Sequence, residues 1–191
     1  TAEDIRVAYH GSESDTRLET ALKGPMAEML PIEERAIIFK WVKGGGTWSL
    51  TGLSTTSLRD VAVSPGYLTD RTVFAADRNS GVFKSVDGGD TWSPANVGLD
   101  DPNLISLALS PQYDLDGHLF AGSFVDGLYR SYNAAASWNW SASGITNLII
   151  NCLAASPSYA VDGHLFAGTY GRRVFRSTNG GGSWAQLAAP L

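Results

Sequence analysis

Several side chains that could do chemistry are spread along the 191-residue chain. Arg59 and Asp60 are adjacent in a short apolar segment, where such a pair could bind a ligand or transfer a proton. A glycosidase needs two carboxyl groups roughly 5 to 9.5 Å apart, and no second carboxylate occupies an equivalent segment. We therefore expect a structural ion pair. Cys152 has no partner motif, which predicts a small buried apolar side chain.

Imidazole and basic side chains recur at equivalent places. His118 and His164 each follow Asp-Gly, and two such imidazoles could bind a metal ion. Packing at a turn explains them as well, so we expect no metal and no cofactor. Four basic residues also share one place and could surround an anion: Lys40, Lys84, Arg130 and Arg176. We expect their stems to lie along the protein with the charged heads in water.

Aromatic and charged residues in equivalent loops could form a ligand surface. The candidates in these loops are Arg78, Phe124, Tyr170 and Arg172. Trp140 is a further candidate, because it follows Trp138 by two residues and both rings could project from one face of a strand. Exposed aromatic rings beside charged groups suit a sugar or a peptide. Packing between repeat units is the alternative that we favour for these residues.

These side chains belong to repeat units, and each unit contains a copy of one eight-residue motif. Its best copy is SVDGGDTW at 85–92, and weaker copies are WVKGGGTW at 41–48, SYNAAASW at 131–138 and STNGGGSW at 177–184. The tryptophans that end the four copies, Trp48, Trp92, Trp138 and Trp184, are separated by 44, 46 and 46 residues. A period of this length is typical of a β-propeller or another repeat array.

Each repeat unit predicts four short strands. An apolar segment opens the unit at 58–63, 104–109 and 150–155, and a Ser-Pro pair ends it because proline cannot donate to a strand ladder. Further strands are predicted at 72–76, 118–122 and 164–168, then at 82–85, 128–131 and 174–177, and finally from each tryptophan onward. Four short strands in about 45 residues have the dimensions of a propeller blade.

We therefore predict an all-β fold, a β-propeller of about four blades with four short antiparallel strands in each. One domain covers 1–191, with a divergent first blade and an amino-terminal arm at 1–53 and further blades at 54–98, 99–144 and 145–191. Four blades can close alone, or the chain can be half of a larger ring that a second chain completes. The arm could cap the array, close the ring or reach a neighbouring subunit.

The motif suits a tight turn between the third and fourth strands of a blade. Short polar side chains can accept unpaired backbone N–H groups there, glycine can take a positive φ, and tryptophan can pack against the blade. The residues with this structural role are Ser85, Asp87, Gly89, Thr91, Trp92, Ser131, Asn133, Trp138, Ser177, Asn179, Gly181, Trp184 and Trp48. Lys43 cannot accept a hydrogen bond and Ala135 takes a positive φ only at a cost, so we expect altered turns in blades one and three.

The motif at 85–92 resembles the Asp-box, or BNR repeat, of sialidases, sortilin-type receptors, xyloglucanase-like glycoside hydrolases and photosystem assembly factors of the Ycf48 type. The resemblance covers about 140 residues, with three good copies and one degenerate copy. It implies a propeller whose motif lies at the blade periphery, in enzymes and non-enzymes alike. The Arg-Ile-Pro segment of sialidases does not occur in this sequence, so the resemblance does not carry an enzymatic activity with it.

Composition narrows the choice of function. The net charge of −5 argues against a nucleic-acid surface, which needs clustered basic residues. No apolar run approaches the roughly 20 residues that span a bilayer. We expect a non-catalytic scaffold or binding module that binds a protein partner or its own copies, outside the cell or at its surface. A carbohydrate-binding module is the alternative, and a glycoside hydrolase comes last.

Overall fold

The computed structural model describes residues 36–41, 48–55 and 57–187. This part of the chain is all-β apart from three one-turn helices, α1 (Tyr67–Asp70), α2 (Tyr113–Asp116) and α3 (Tyr159–Asp162). The amino-terminal arm and the turn of the first motif copy lie outside the described residues. None of the described helices is long and apolar enough to cross a bilayer.

The strands form one two-stranded and three four-stranded antiparallel sheets, which we call blades 1 to 4. Blade 1 pairs β1 (Ala36–Trp41) with β2 (Trp48–Thr55). Blade 2 contains β3 (Leu58–Val63), β4 (Val73–Asp77), β5 (Gly81–Ser85) and β6 (Ser93–Pro94). Blade 3 contains β7 (Leu104–Leu109), β8 (Leu119–Ser123), β9 (Leu128–Ser131) and β10 (Asn139–Trp140). Blade 4 contains β11 (Ile150–Ala155), β12 (Leu165–Thr169), β13 (Arg173–Ser177) and β14 (Ala185–Gln186).

The predicted fold class is confirmed, because blades 2 to 4 each contain four strands that pair in sequence order. One detail differs. The fourth strand of these blades begins after the motif tryptophan instead of at it, because the tryptophan N–H groups of blades 3 and 4 bind the preceding blade. The blade boundaries along the chain stay predictions.

A one-turn helix links the first and second strands of each complete blade. In blade 3 the Asp116 carboxylate closes this turn, accepting the Ser110 hydroxyl at 2.6 Å and the His118 N–H at 2.8 Å. Equivalent pairs join Ser64 to Asp70 and Ser156 to Asp162. Each helix carries one buried tyrosine: Tyr67, Tyr113 and Tyr159.

The hydrophobic core lies between the blades. Phe74 of blade 2 meets the edge of the Tyr113 ring of blade 3 at a centroid distance of 5.5 Å. Phe120 of blade 3 meets Tyr159 of blade 4 in the same way at 5.7 Å. Such aromatic pairs contribute about 0.5 to 1.5 kcal/mol beyond the area they bury. Each blade is therefore stabilised mainly by its neighbours.

Candidate functional site

The motif tryptophan joins each blade to the one before it. Trp184 of blade 4 donates its ring N–H to the Ser141 carbonyl at 2.7 Å and its backbone N–H to the Ser143 carbonyl at 2.9 Å, both in blade 3. Trp138 makes the same two bonds to blade 2, at Ala95 and Val97. Trp92 differs, because its ring N–H binds Gly89 in its own turn. The sequence predicted that the tryptophan packs against a blade. It did not predict that Trp138 and Trp184 form hydrogen bonds with the preceding blade.

The turn of the best motif copy has the predicted chemistry. The Ser85 hydroxyl oxygen accepts the Gly89 N–H at 2.8 Å, and the hydroxyl donates to Asp87 Oδ1 at 2.7 Å. Asp87 also accepts the Thr91 N–H at 2.9 Å and the Thr91 hydroxyl at 2.5 Å. The Thr91 bonds, with the Ser85 hydroxyl, hold the pKa of Asp87 well below its usual range. The Asp87 carboxylate therefore has a structural role, which is to hold the turn together through these hydrogen bonds.

The prediction of an altered turn in blade 3 is wrong. Ala134 and Ala135 adopt φ values of +56° and +65°, and the Ala135 N–H still binds the Ser131 hydroxyl oxygen at 3.0 Å. Asn133 replaces the carboxylate, accepting the Ser137 N–H at 2.9 Å. Blade 4 repeats this network with Ser177, Asn179, Gly181 and Ser183. The side-chain hydrogen bonds of the turn thus hold two alanines in the left-handed region. Blade 1 is not tested, because its turn lies outside the described residues.

Replacing Ala134 with glycine should stabilise the protein by about 0.5 to 1 kcal/mol. Removing Cβ relieves a left-handed penalty of about 1 to 2 kcal/mol, and the extra freedom of glycine in the unfolded chain takes back about 0.5 to 1 kcal/mol. Urea unfolding of the wild type and the variant measures the difference. Ala136→Gly is the control, because Ala136 is exposed and outside the positive-φ residues, so it should be slightly destabilising. Equal changes in the free energy of unfolding for the two substitutions would contradict backbone strain at Ala134.

Asp60 links blade 2 to blade 3. Its Oδ2 accepts the Leu107 N–H of blade 3 at 2.7 Å, and its Oδ1 accepts the Val61 N–H at 2.8 Å. Ser106, at the same repeat position, donates its hydroxyl to the Ile150 carbonyl of blade 4 at 3.0 Å. Both oxygens of Asp60 are therefore engaged by backbone. The neighbouring Arg59 is exposed, and its ion pair with Asp60 stays a prediction.

Asp60 and Asp87 should give pH dependences of opposite sign. Burial raises the pKa of Asp60, so the folded protein keeps this proton to a higher pH than the unfolded chain does. The wild type should then lose stability relative to Asp60→Asn as the pH rises above about 4. Relative to Asp87→Asn it should lose stability as the pH falls below about 4, because the pKa of Asp87 is lowered. Urea midpoints between pH 3 and 7 test both slopes, and slopes of one sign would contradict the account.

The fourth blade exposes a face that is covered in blades 2 and 3. Its residues, which we call the open face, are Cys152, Ala154, Phe166, Gly168, Val174 and Arg176. The prediction that Cys152 is buried is wrong, because its side chain is exposed. Blade 4 covers the equivalent residues of blade 3, leaving Ser106 3% exposed and Phe120 fully buried. No further blade covers the open face among the described residues.

The two glycines at one repeat position show how closely a following blade approaches. A Cβ on Gly122 would lie 2.8 Å from the Ile150 side chain of blade 4. At Gly168 the only such contact is with Cys152 of its own blade. Gly122 therefore makes room for a neighbouring blade, whereas the equivalent space beside Gly168 is empty in the described part of the chain.

No family model and no curated protein matches the sequence. Among solved structures, a GH74 xyloglucanase from Xanthomonas campestris matches with a TM-score of 0.63 and 19% identity, over 85% of this chain and 28% of the xyloglucanase. Ycf48 bound to a D1 peptide matches with a TM-score of 0.53 and 17% identity, over 80% of this chain and 47% of Ycf48. Both of these structures are β-propellers.

The fold of this chain is a β-propeller. An extracellular domain of a two-component system from B. thetaiotaomicron is also similar, with a TM-score of 0.59 and 13% identity over 83% of this chain and 24% of that domain. The chain spans between about a quarter and about a half of the length of these structures. At such identities the likeness concerns the fold.

The loop candidates divide according to whether a following blade is present. The Arg78 guanidinium lies 4.4 Å from the centroid of the Phe124 ring in the next blade, and its Nε donates to Asn103 Oδ1 at 3.3 Å. This pair packs between blades of the propeller. Tyr170 occupies the same repeat position in blade 4 and is 65% exposed, and Arg172 beside it is exposed too. The structure therefore joins Arg78 to Phe124 and leaves the blade 4 residues at the surface.

The two tryptophans of blade 3 have different surroundings. Trp138 is 3% exposed and forms a hydrogen bond with blade 2. Trp140 is 50% exposed, and its ring N–H donates to the Asp126 carbonyl in a loop of its own blade at 2.8 Å. Trp140 is therefore an available aromatic surface, although its orientation is fixed by that hydrogen bond.

Lys84, one of the recurring basic residues, and His118 make contacts between blades. The Lys84 ammonium donates to the Ala134 carbonyl of blade 3 at 2.9 Å, which corrects the prediction that its head lies in water. Desolvation lowers the pKa of Lys84. His118 stacks on Tyr132 at a centroid distance of 4.2 Å. The described residues contain no group of three or more metal-ligating side chains.

Proposed function

We propose that this propeller is a non-catalytic scaffold that binds another protein, or further copies of itself, through the open face of blade 4. The observation that supports the proposal is the contrast in burial at equivalent positions. Phe120 is fully buried against blade 4, whereas Phe166 is only half-buried and Ala154 is exposed. Burying an aromatic side chain contributes about 1.5 to 3 kcal/mol, so this face offers a protein partner substantial binding energy.

One similar structure supports a binding role. Ycf48 is described in complex with a D1 peptide, so that propeller binds a protein ligand. A second similar structure is an extracellular domain, and we extend the proposal to a location outside the cell or at its surface. Both extensions rest on a shared fold.

Capture on immobilised protein tests the scaffold function. Purified wild type and an Ala154→Arg variant are compared, and the bound proteins are identified and then recombined with the chain in purified form. A partner, or the chain itself, should bind the wild type and lose affinity for the variant, because an arginine on this exposed position blocks close approach. Retention of the same proteins by both forms would contradict binding at the open face.

A non-enzymatic role is part of the proposal, and Asp60 is the residue that bears on it. Both of its carboxylate oxygens accept backbone N–H groups, and one of these bonds crosses the joint between blades 2 and 3, so Asp60 has a structural role there. We expect no turnover in a screen of fluorogenic glycosides. Turnover that Asp60→Asn abolished would overturn the non-enzymatic role.

A carbohydrate-binding module is the second candidate, favoured by two exposed aromatic rings. Tyr170 is 65% exposed and Trp140 is 50% exposed, and both lie in or beside the loops that connect the second and third strands. Binding on a glycan array that Tyr170→Ala or Trp140→Ala removes would favour this function over the scaffold. Glycan binding unchanged in both variants would exclude these rings from it.

A further inference from the structure

We propose that the occupant of the open face is the first blade of a second copy of this chain, so that copies associate head to tail. The proposal rests on the scaffold function above and names its partner. It follows from the way the joints between the blades are built, which repeats with the 46-residue period of blades 2 to 4.

The joint between blades 2 and 3 and the joint between blades 3 and 4 have the same receiving side. The preceding blade presents a carbonyl to the tryptophan ring of the following blade, at Ala95 for blade 2 and at Ser141 for blade 3. It also presents a phenylalanine and an alanine beside the inner strands, at Phe74 and Ala62 in blade 2 and at Phe120 and Ala108 in blade 3. Blade 4 has all of these features at the same spacing. Leu187 is in the carbonyl position, while Phe166, Ala154 and Gly168 are on the open face.

The complementary side of a joint is a blade with a tryptophan immediately before its last strand. In blades 3 and 4 these residues are Trp138 and Trp184, and both already bind the preceding blade. Blade 2 is also covered, because blade 1 donates the Gly52 N–H to the Gly89 carbonyl at 3.0 Å and the Thr55 hydroxyl to Asp77. Blade 1 is therefore the blade that has no preceding neighbour among the described residues.

Blade 1 has the required tryptophan. Trp48 occupies the repeat position of Trp92, Trp138 and Trp184. In a head-to-tail pair, Trp48 of one copy takes the place next to Leu187 of the other. The joint between the copies then repeats the joint between blades 3 and 4.

Contacts between unlike ends are heterologous, and they generate a ring where the rotation closes and a filament where it does not. The expected wild-type protein is thus a closed ring of few copies or an open polymer.

Two substitutions test the two sides of the proposed contact one at a time. Ala154→Arg blocks the receiving face, and Ala154 is exposed, so the fold of the single chain should be unaffected. Trp48→Ala removes the side chain that contacts the other copy in the proposed pair. Ala185→Arg is the matched control, because position 185 and its equivalents Ser93 and Asn139 are all exposed and lie outside the joints.

Light scattering of full-length protein, alone and in mixtures, tests the proposal. The wild type and Ala185→Arg should associate, and Ala154→Arg and Trp48→Ala should each remain monomeric. An equimolar mixture of the two monomeric variants should form a heterodimer, because each retains the end that the other lacks. A wild type that stays monomeric, or variants that do not complement each other, would overturn head-to-tail association.

A second measurement needs no substitution and covers the case in which Trp48→Ala fails to fold. Cys152 is the only cysteine and lies on the open face, so its reaction with a maleimide should slow as the wild-type concentration rises. An unchanged rate would contradict docking of a copy on this face. If the wild type is monomeric but an identified partner of another kind protects Cys152, the second-copy inference fails and the scaffold function remains.

Discussion

Replacing Trp184 with alanine should lower the free energy of unfolding by about 3 to 5 kcal/mol, the usual cost of truncating a large buried aromatic side chain. Trp184 is 6% exposed and packs at the joint between blades 3 and 4. The substitution also leaves the Ser141 carbonyl without its ring N–H donor. Equilibrium unfolding in urea, followed by circular dichroism, measures the loss.

Trp92→Ala is the matched control for this prediction. Trp92 occupies the same repeat position, but it is only partly buried and its ring N–H binds Gly89 within its own turn. Its truncation should therefore cost clearly less than that of Trp184. Equal losses would show that the tryptophan stabilises its own turn instead of the joint between the blades.

Replacing Gly144 with alanine should destabilise the protein by about 2 to 4 kcal/mol, the sum of backbone strain and overpacking. Gly144 has a φ of +93°, and a Cβ at this position would lie 2.1 Å from the Trp184 carbonyl oxygen. That oxygen belongs to the backbone of the next blade, so the blades must move apart to accommodate the methyl group. The midpoint of thermal or urea unfolding measures the effect.

Gly171→Ala separates the strain from the clash. Gly171 has a φ of +88°, but a Cβ there would meet no atom closer than 3.8 Å. It should cost about 0.5 to 1 kcal/mol, the left-handed penalty of about 1 to 2 kcal/mol less the roughly 0.5 to 1 kcal/mol that alanine gains from the smaller freedom of its unfolded chain. A loss as large as that of Gly144→Ala would show that the approach of blades 3 and 4 contributes nothing.

The sequence predicted the blades because their signals are local. The apolar first strands and the Ser-Pro pairs that end them each depend on a few neighbouring residues. The 46-residue spacing of Trp92, Trp138 and Trp184 then shows that this local pattern repeats. The turn network of Ser85 and Asp87 was predictable for the same reason, since its donors and acceptors lie within six residues of each other.

The errors concern contacts between distant parts of the chain. Cys152 was expected to be a small buried apolar side chain because it has no partner motif, but its burial depends on whether another blade follows. The ring N–H of Trp138 binds a carbonyl 43 residues earlier, and no local pattern gives that partner. Ala135 was misjudged because an intrinsic φ penalty was weighed without the hydrogen bonds of the turn.

The candidate site was therefore only partly predictable. From the sequence, Tyr170 and Trp140 were candidate ligand-binding residues for which packing between repeat units was favoured, whereas both are exposed. The open face was not identified, because its residues are typical core residues in each repeat. Only the structure shows that blade 4 exposes side chains whose equivalents in blades 2 and 3 are covered.

The most direct test of the central claim is the rate at which Cys152 reacts with a maleimide in the full-length protein. The account predicts fast labelling of the dilute chain and protection when a protein partner covers the open face, with protection lost in Ala154→Arg. The partner is a second copy at high concentration, or a protein identified by capture. A labelling rate that neither partner changes would contradict the claim that the open face is a docking surface.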